Sequence, residues 1–395
     1  MRKIILLDWM CWVFPKNKHQ FAFLKKSGVE LKRIEPGKVG RGMRVFEMPL
    51  PETADPYHKG FNLRNMIKVA MAREINWYGN NKAMEVKWIK RTMAIIDWCF
   101  KTFKEENPDY IMIEGGLTYY ARACAEVARE MGIGIITIEN SFIKDKIFID
   151  FDTGFIVNRH LFARCSQDWL DTRVLTPERE KEVDEIIKKV FESLNYPTPS
   201  ERKLPTLKYD KTIFVPLQVY ADQVTLYDSQ FNNETFIKRV FELAETEFKD
   251  WNVILKCHPK EDKYHHRKWG QTGKWLEKQK KPQNVVIVSG FKDQTINTQE
   301  LIKRADLVFV NTSQCGLEAC LLEKPVVVFG DAYFSQKGFT LEYSNSLNWK
   351  KVKENPEYII NVNQMKLWFL YFYRFLYNRH FVKRDRIRIR RRLGV

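Results

Sequence analysis

Short runs of consecutive apolar residues, each closed by a polar or glycine-bearing turn and followed by a helical pattern, recur along this chain. The clearest lies within residues 305–340. An apolar run (307–310) ends in Asn311-Thr312-Ser313-Gln314, a short helical pattern covers 316–322, and a second apolar run (325–329) closes on Gly330-Asp331. Strand, turn, helix and strand in so few residues predict a βαβ unit and a parallel sheet. The same grammar appears elsewhere. Residues 2–14 read as a first strand, 36–59 as an irregular Pro/Gly-rich loop, and 62–105 as a long helix with Trp77, Trp88, Ile95 and Trp98 among its buried positions. Residues 109–114 read as a strand, 119–131 as an Ala-rich helix, and 132–138 as the next strand, ending in Glu139-Asn140-Ser141. After a charged helical stretch and a Pro-containing linker (173–210), strands are predicted at 212–217, 251–256 and 284–289, with helices at 234–248 and 298–304.

The fold class expected is therefore α/β, with two Rossmann-like domains joined near residue 205. Residues 1–205 form the first, 206–355 the second, and 356–395 a C-terminal helix with a basic tail. The 395 residues suffice for two cores. A hydrophobic content of 44% is ordinary, whereas a net charge of +17 implies an anionic partner: nucleic acid, an acidic membrane surface or an anionic substrate. The seven cysteines form no CxxC pair, which favours structural thiols over disulfides or zinc. No apolar run approaches the ~18–20 residues of a membrane span, and the first apolar run is broken by Asp8, unlike a signal peptide.

Candidate chemistry gathers where strands end, the edge at which open α/β sheets bind ligands. In the second half three such segments carry polar residues: Gln218 to Asp222, Lys256 to His258, and Thr312-Ser313-Gln314 with Gly316 and Glu318. The Thr312-Ser313 turn at a helix start offers hydroxyls and backbone N–H groups to a phosphate. Glu318 is better suited to ribose hydroxyls than to phosphate. Phosphate plus ribose means a nucleotide. Lys256 and His258 add a basic pair for a negatively charged group, and Asp222 a carboxylate for covalent or acid/base work; a sugar carried on a nucleotide needs all of these. Each has a plainer reading: Asp222 as a turn or N-cap residue, Thr312-Ser313 as a cap, Glu318 as a first-turn acid favoured by the helix dipole. In the first half Glu114, Glu139 and Asn140 occupy corresponding strand ends and are candidates for the acceptor side. No metal is expected, although Asp150 and Asp152 match an Asp-x-Asp pair.

The pattern Gln-x-x-x-Asp-Gln at 218–223, His-Pro at 258–259, Thr-Ser-Gln-x-Gly-x-Glu-Ala at 312–319 and Lys-Pro-Val at 324–326 resembles the capsule polysaccharide biosynthesis family, whose members include retaining β-Kdo transferases. In the first half, residues 121–142, ending in Glu-Asn-Ser-Phe, with Ile149-Asp150 and Gly154, resemble the same family. The resemblance implies a GT-B-type glycosyltransferase with donor CMP-Kdo, no separate cofactor, and a lipid-linked or glycan acceptor. It gives Asp222 the catalytic role, as nucleophile or base, and His258 the donor's phosphate or carboxylate. Thr312 and Ser313 would take the phosphate and Glu318 the ribose.

The tail completes the expectation. Residues 364–377 are intensely aromatic and 379–392 strongly basic. Such a segment suits an anionic bilayer surface, which places the protein in the cytoplasm on the inner face of the membrane; its plainer reading is a last helix packed back on the domains. Nucleic acid is not expected, because the aromatics are not spread over a sheet. A UDP- or GDP-sugar transferase, or a non-catalytic polysaccharide-binding or export protein, are the alternatives.

Overall fold

The apolar runs become the strands of two six-stranded sheets in the computed structural model, which describes residues 2–7, 21–34, 50–72, 82–115, 118–151, 170–194, 206–220, 222–259, 261, 271–288 and 296–395. The chain forms two units: Met1–Val157 with Arg374–Val395, and Asn158–Tyr373. Both are Rossmann-like α/β assemblies.

In the first unit β1 (Arg2–Leu7) lies parallel between β2 (Val29–Ile34) and β5 (Tyr110–Glu114), and β6 (Gly134–Asn140) extends the parallel run. A small hairpin, β3 (Tyr57–His58) and β4 (Phe61–Asn62), stands apart. β7 (Lys146–Asp150) turns back antiparallel on β6. The start of β1 is fixed by charge: Asp109 accepts from the Lys3 amide (2.7 Å) and Arg2 (2.9 Å), while Glu106 pairs with Lys3 (2.9 Å). Helices Lys82–Glu106 and Tyr119–Glu130 cover one face. The second starts because the Thr118 hydroxyl accepts from the Ala121 amide. Its buried face is built of small residues (Ala121, Cys124, Ala125, Ala128), so the two helices approach until Cys99 and Cys124 Sγ are 3.1 Å apart. Of the single helix expected over 62–105, the structure shows Leu63–Met66, a turn at Ile67, helical residues 68–72 and Lys82–Glu106; 73–81 lie outside the described residues. Trp77 lies outside the described residues, and Trp88 and Trp98 sit at the core's margin.

The second unit's sheet is wholly parallel, in the order β10 (Val285–Val288), β9 (Asn252–Lys256), β8 (Thr212–Pro216), β11 (Leu307–Val310), β12 (Val326–Val328), β13 (Leu341–Glu342). β8, β9, β11 and β12 are buried along their whole length, as continuous apolar runs should be when helices cover both faces. Phe248 anchors this core edge-on to Trp251, Phe309 and Trp349. Asn252 sets the start of β8: its Oδ1 accepts from the Lys208 amide (2.8 Å) and its Nδ2 donates to the Lys211 carbonyl (2.9 Å).

The expected boundary at 205 and the separate 356–395 segment need correction. Helix Pro177–Ser193, capped by Thr176, falls in the second unit, and Lys366 holds it through Glu180 and Asp184, each at 3.0 Å. The tail divides. Through Tyr373 it completes the second unit: Trp368, Phe369, Leu370 and Phe372 of helix Val362–Phe375 are buried, so these rings are core and offer no face to a bilayer. From Arg374 onward it rejoins the first unit. There β14 (Tyr377–Asn378) pairs antiparallel with β7, and helix Lys383–Leu393 inserts Ile389 and Leu393 beside Ile4, Phe21 and Phe23. Arg388 caps the preceding helix by donating to the Arg374, Phe375 and Leu376 carbonyls (3.2, 2.8 and 3.2 Å) and lies over the Tyr377 ring at 4.1 Å. No helix among the described residues is long and apolar enough to cross a membrane.

Candidate functional site

Strand order locates the site. From β8 the chain proceeds to β9 and β10 on one side, then crosses back to β11, β12 and β13 on the other. The order therefore reverses between β8 and β11, and the crevice beyond the carboxyl ends of these two strands is the topological switch point, where open α/β sheets bind ligands. Gln218 and Asp222 follow β8; Thr312, Ser313 and Gln314 follow β11; His258 follows β9, the other neighbour of β8.

The two loops at the crevice are joined directly. Gln218 Nε2 donates to the Thr312 carbonyl (3.4 Å), and the hydroxyls of Thr225 and Thr312 are 2.8 Å apart. Asp222 is the N-cap of helix Gln223–Asp228, its Oδ1 accepting from the Thr225 amide at 3.1 Å. The plainer reading of Asp222, a helix N-cap, is thus what the structure shows of it. Behind the β11 loop, Asn311 is buried, taking a hydrogen bond from Ser229 Oγ and donating to the Phe231 carbonyl (2.8 Å). Gly330, after β12, lets that loop close in: a Cβ there would sit 2.7 Å from both Asn311 Oδ1 and Thr312 Cγ2. Gly316 is required for the same reason, since its Cβ would lie 2.6 Å from Phe334 Cζ and 2.8 Å from Val310 Cγ2.

Thr312 and Ser313 are both buried, and Ser313 Oγ accepts from the Cys315 amide (3.4 Å), opening helix Cys315–Leu321. Gln314 Oε1 accepts from the Tyr333 hydroxyl. Glu318 is buried in the helix's first turn, only 6% exposed, where a carboxylate without a charged or hydrogen-bonding neighbour would be costly. Lys256 is nearby in the electrostatic sense. Burial lowers its pKa, against the opposing pull of Cys315 and Glu318. Two of its three N–H bonds are committed, to the Ile296 carbonyl and Thr298 Oγ1 (both 2.7 Å), so Lys256 pins the start of helix Thr298–Arg304. His258 is partly exposed, and its carbonyl accepts from the Glu261 amide (3.0 Å).

Glu261 escaped the sequence reading and is the deepest acid of the site, 1% exposed. It accepts from the Tyr220 amide and from both the amide (3.2 Å) and hydroxyl (2.8 Å) of Thr272, so it fastens the β8 loop to helix Gln271–Glu277. Asn233 does the same from another side, donating to the Gln218 carbonyl (2.7 Å) and Thr272 Oγ1 (3.2 Å). Tyr220 donates to Glu234 (2.9 Å), and burial with that carboxylate pushes its phenol up to about 12. The available signal for Glu261 was its place three residues after His258 in a strand-end run, a spacing that only the fold gives meaning.

In the first unit the order reverses between β1 and β5, and Glu114 closes β5 beside that point. Glu139 and Asn140 close β6; a Cβ on Gly115 would lie 3.1 Å from Glu139 Oε2, which puts the turn after β5 against Glu139. Asn140 accepts from Arg379 of the returning tail. Asp152 and Gly154 lie outside the described residues. Among the described residues no three His, Cys, Asp or Glu side chains group to hold a metal ion.

The profile of the capsule polysaccharide biosynthesis protein family matches residues 168–379, more than half of the chain. A comparison with curated proteins finds no match. Among solved structures, the KpsC β-Kdo 2,4 transferase of Thermosulfurimonas dismutans aligns at 18% identity over 68% of this chain and 85% of its own, with a TM-score of 0.46. The KpsC β-Kdo 2,7 transferase of the same organism aligns at 16% identity over 68% and 78%, TM-score 0.42. UDP-GlcNAc 2-epimerase of Methanocaldococcus jannaschii aligns at 13% identity over 100% and 99%, TM-score 0.33. Likenesses this faint say nothing of chemistry.

Proposed function

The chain belongs to the capsule polysaccharide biosynthesis protein family, and from that premise we propose that it is a GT-B-type glycosyltransferase moving Kdo, or a related ulosonic acid, from its CMP-sugar to a lipid-linked acceptor or growing glycan. The observation that carries this reading is the joined pair of loops at the second unit's switch point, which lies inside the residues the family profile matches. Thr312 and Ser313 would hold the donor phosphate with the amides behind them, Gln218 would fix that turn, and Glu318 would accept from the ribose hydroxyls. As the sugar–phosphate bond breaks, negative charge grows on the leaving phosphate, and fixed donors stabilise it without reorganising. His258 and Lys256 would supply positive charge at the next strand end. Asp222 would meet the anomeric carbon, as nucleophile with retention or as base for the acceptor hydroxyl. Glu114, Glu139 and Asn140 are the proposed acceptor side.

The protein is also proposed to rest on the anionic inner face of the cytoplasmic membrane. The buried aromatic run cannot serve there. The supporting surface is the outer face of helix Lys383–Leu393, where exposed Lys383, Arg386 and Arg391 surround half-exposed Ile387, beside Val382. Basic residues near such a surface contribute about 1 kcal/mol each.

A thermal-shift screen against CMP, CDP, UDP and GDP tests the donor. A ligand bound only by the native state at a hundredfold its Kd adds about 2.7 kcal/mol of stability. A shift with CMP alone is the expected result. A shift with UDP or GDP keeps the glycosyltransferase and replaces the sugar; no shift with any of the four removes the enzyme reading.

A further inference from the structure

Gln314 stands between the Thr312-Ser313 turn and helix Cys315–Leu321, and its amide is held at one end only. The Tyr333 hydroxyl donates to Oε1, whereas Nε2 is buried with no hydrogen-bond partner among the described residues. Keeping a donor out of water and unpaired is costly, so its retention asks for a reason. The neighbourhood is built to hold it this way. Tyr333 is buried, its ring lies face to face with Phe372 (centroids 5.6 Å apart, planes at 19°), and Phe372 stacks in turn on Trp368 (5.0 Å, 17°). Gly316 admits the neighbouring Phe334 against the same helix. Burial also pushes the Tyr333 phenol well above its ordinary value, so it stays protonated. A hydroxyl so fixed, with its proton directed at Oε1, leaves the NH2 as the amide's other end.

We propose that Gln314 Nε2 is a binding donor of the nucleotide site, giving its N–H to an acceptor oxygen of the bound nucleotide. Tyr333 is the positioning residue behind it, and the Trp368–Phe372 stack holds Tyr333. This rests on the nucleotide-binding reading above. It assigns to the aromatic run of the last long helix a part in recognition: its rings orient, at one remove, the group that reads the ligand.

The test is calorimetric titration of the full chain with CMP, and in parallel with CDP, UDP and GDP. Gln314→Glu keeps the shape and still accepts from Tyr333 but has nothing to donate; it should lose about tenfold or more in nucleotide affinity while its Tm holds. Tyr333→Phe, which keeps the stack, should lose roughly three- to tenfold. In a Gln314→Leu background, Tyr333→Phe should change affinity no further, because the group it positions is gone. Gln314→Leu also stands in should Gln314→Glu fail to fold. Wild-type affinity in Gln314→Glu, or a Tyr333→Phe loss that persists in the Leu background, overturns the proposal while leaving the nucleotide site intact. A wild-type protein that binds none of the four nucleotides defeats the functional reading itself, and this inference with it.

Discussion

The hydroxyls of Thr225 and Thr312 share a hydrogen bond of 2.8 Å, both side chains being buried. It ties the loop after β8 to the loop after β11 across the place where the second unit's strand order reverses. Thr225→Val keeps the shape and leaves the Thr312 hydroxyl short of a partner. We expect a loss of about 1–3 kcal/mol in urea unfolding, with weaker nucleotide binding in the same variant.

The cap that Asp222 forms and the catalytic role proposed for it are separable. Asparagine caps a helix as well as aspartate does, while alanine costs about 0.5–2 kcal/mol. Asp222→Asn should therefore keep wild-type stability and lose turnover, and Asp222→Ala should lose both. An Asn variant with normal turnover would leave Asp222 a cap and nothing more.

Glu261 takes hydrogen bonds from the Tyr220 amide and from the amide and hydroxyl of Thr272 in a buried place. Truncation to alanine strands those donors, so Glu261→Ala should destabilise by about 2–4 kcal/mol. Proteolysis should then cut first in the loop after β8. A variant as stable as wild type would show that the loop is held by other means.

Arg388 donates to three carbonyls at the end of helix Val362–Phe375. A lysine cannot reproduce that planar fork. Arg388→Lys should free residues 377–395 to limited trypsin digestion at a rate close to that of Arg388→Ala, whereas Arg391→Lys should leave the tail protected.

Acid should loosen the start of β1 in the first unit. The Lys3 amide, then Arg2, hold the Asp109 carboxyl below its ordinary value, and Lys3 and Lys32 do the same for Glu106. A depressed folded pKa gives stability that is complete above the ordinary carboxylate range, about pH 4, and drains away as pH falls through the lower folded values. Lys256 acts at the other limb. Burial lowers its pKa, so the folded state gives up that proton first and stability rises with pH as 10.5 is approached from below. Asp109→Asn should flatten the acid limb of a stability–pH curve and leave the alkaline limb unchanged.

Much of this was legible in the chain. Helix Thr298–Arg304 and strand Leu307–Val310 fall where periodicity put them, and the strand-end clusters do lie on one edge of one sheet. These elements are local, and their signals are local. What the sequence hid is relational. Lys256 looked like a free cation for an anion, yet its ammonium is spent largely on Ile296 and Thr298, some forty residues away. Glu261 drew no notice in the sequence and is among the most buried acids. The aromatic run at 364–377 has the composition of a bilayer anchor, and only the rings it meets, Tyr333 and Phe339, show it to be core. The domain boundary was misplaced because a Pro-containing linker is conspicuous, whereas the Lys366 pairs that bind helix Pro177–Ser193 to a distant helix leave no mark in either segment.

The return of the chain to the first unit sets an order of events during synthesis. Ile4, Phe21 and Phe23 are made well before Phe381, Ile389 and Leu393, which share their cluster. The ribosome thus finishes the second unit's sheet while the first still lacks an edge strand and part of its core. Until Tyr377 and Asn378 have been made, the open edge at β7 is a place where a chaperone, or a neighbouring chain, has access.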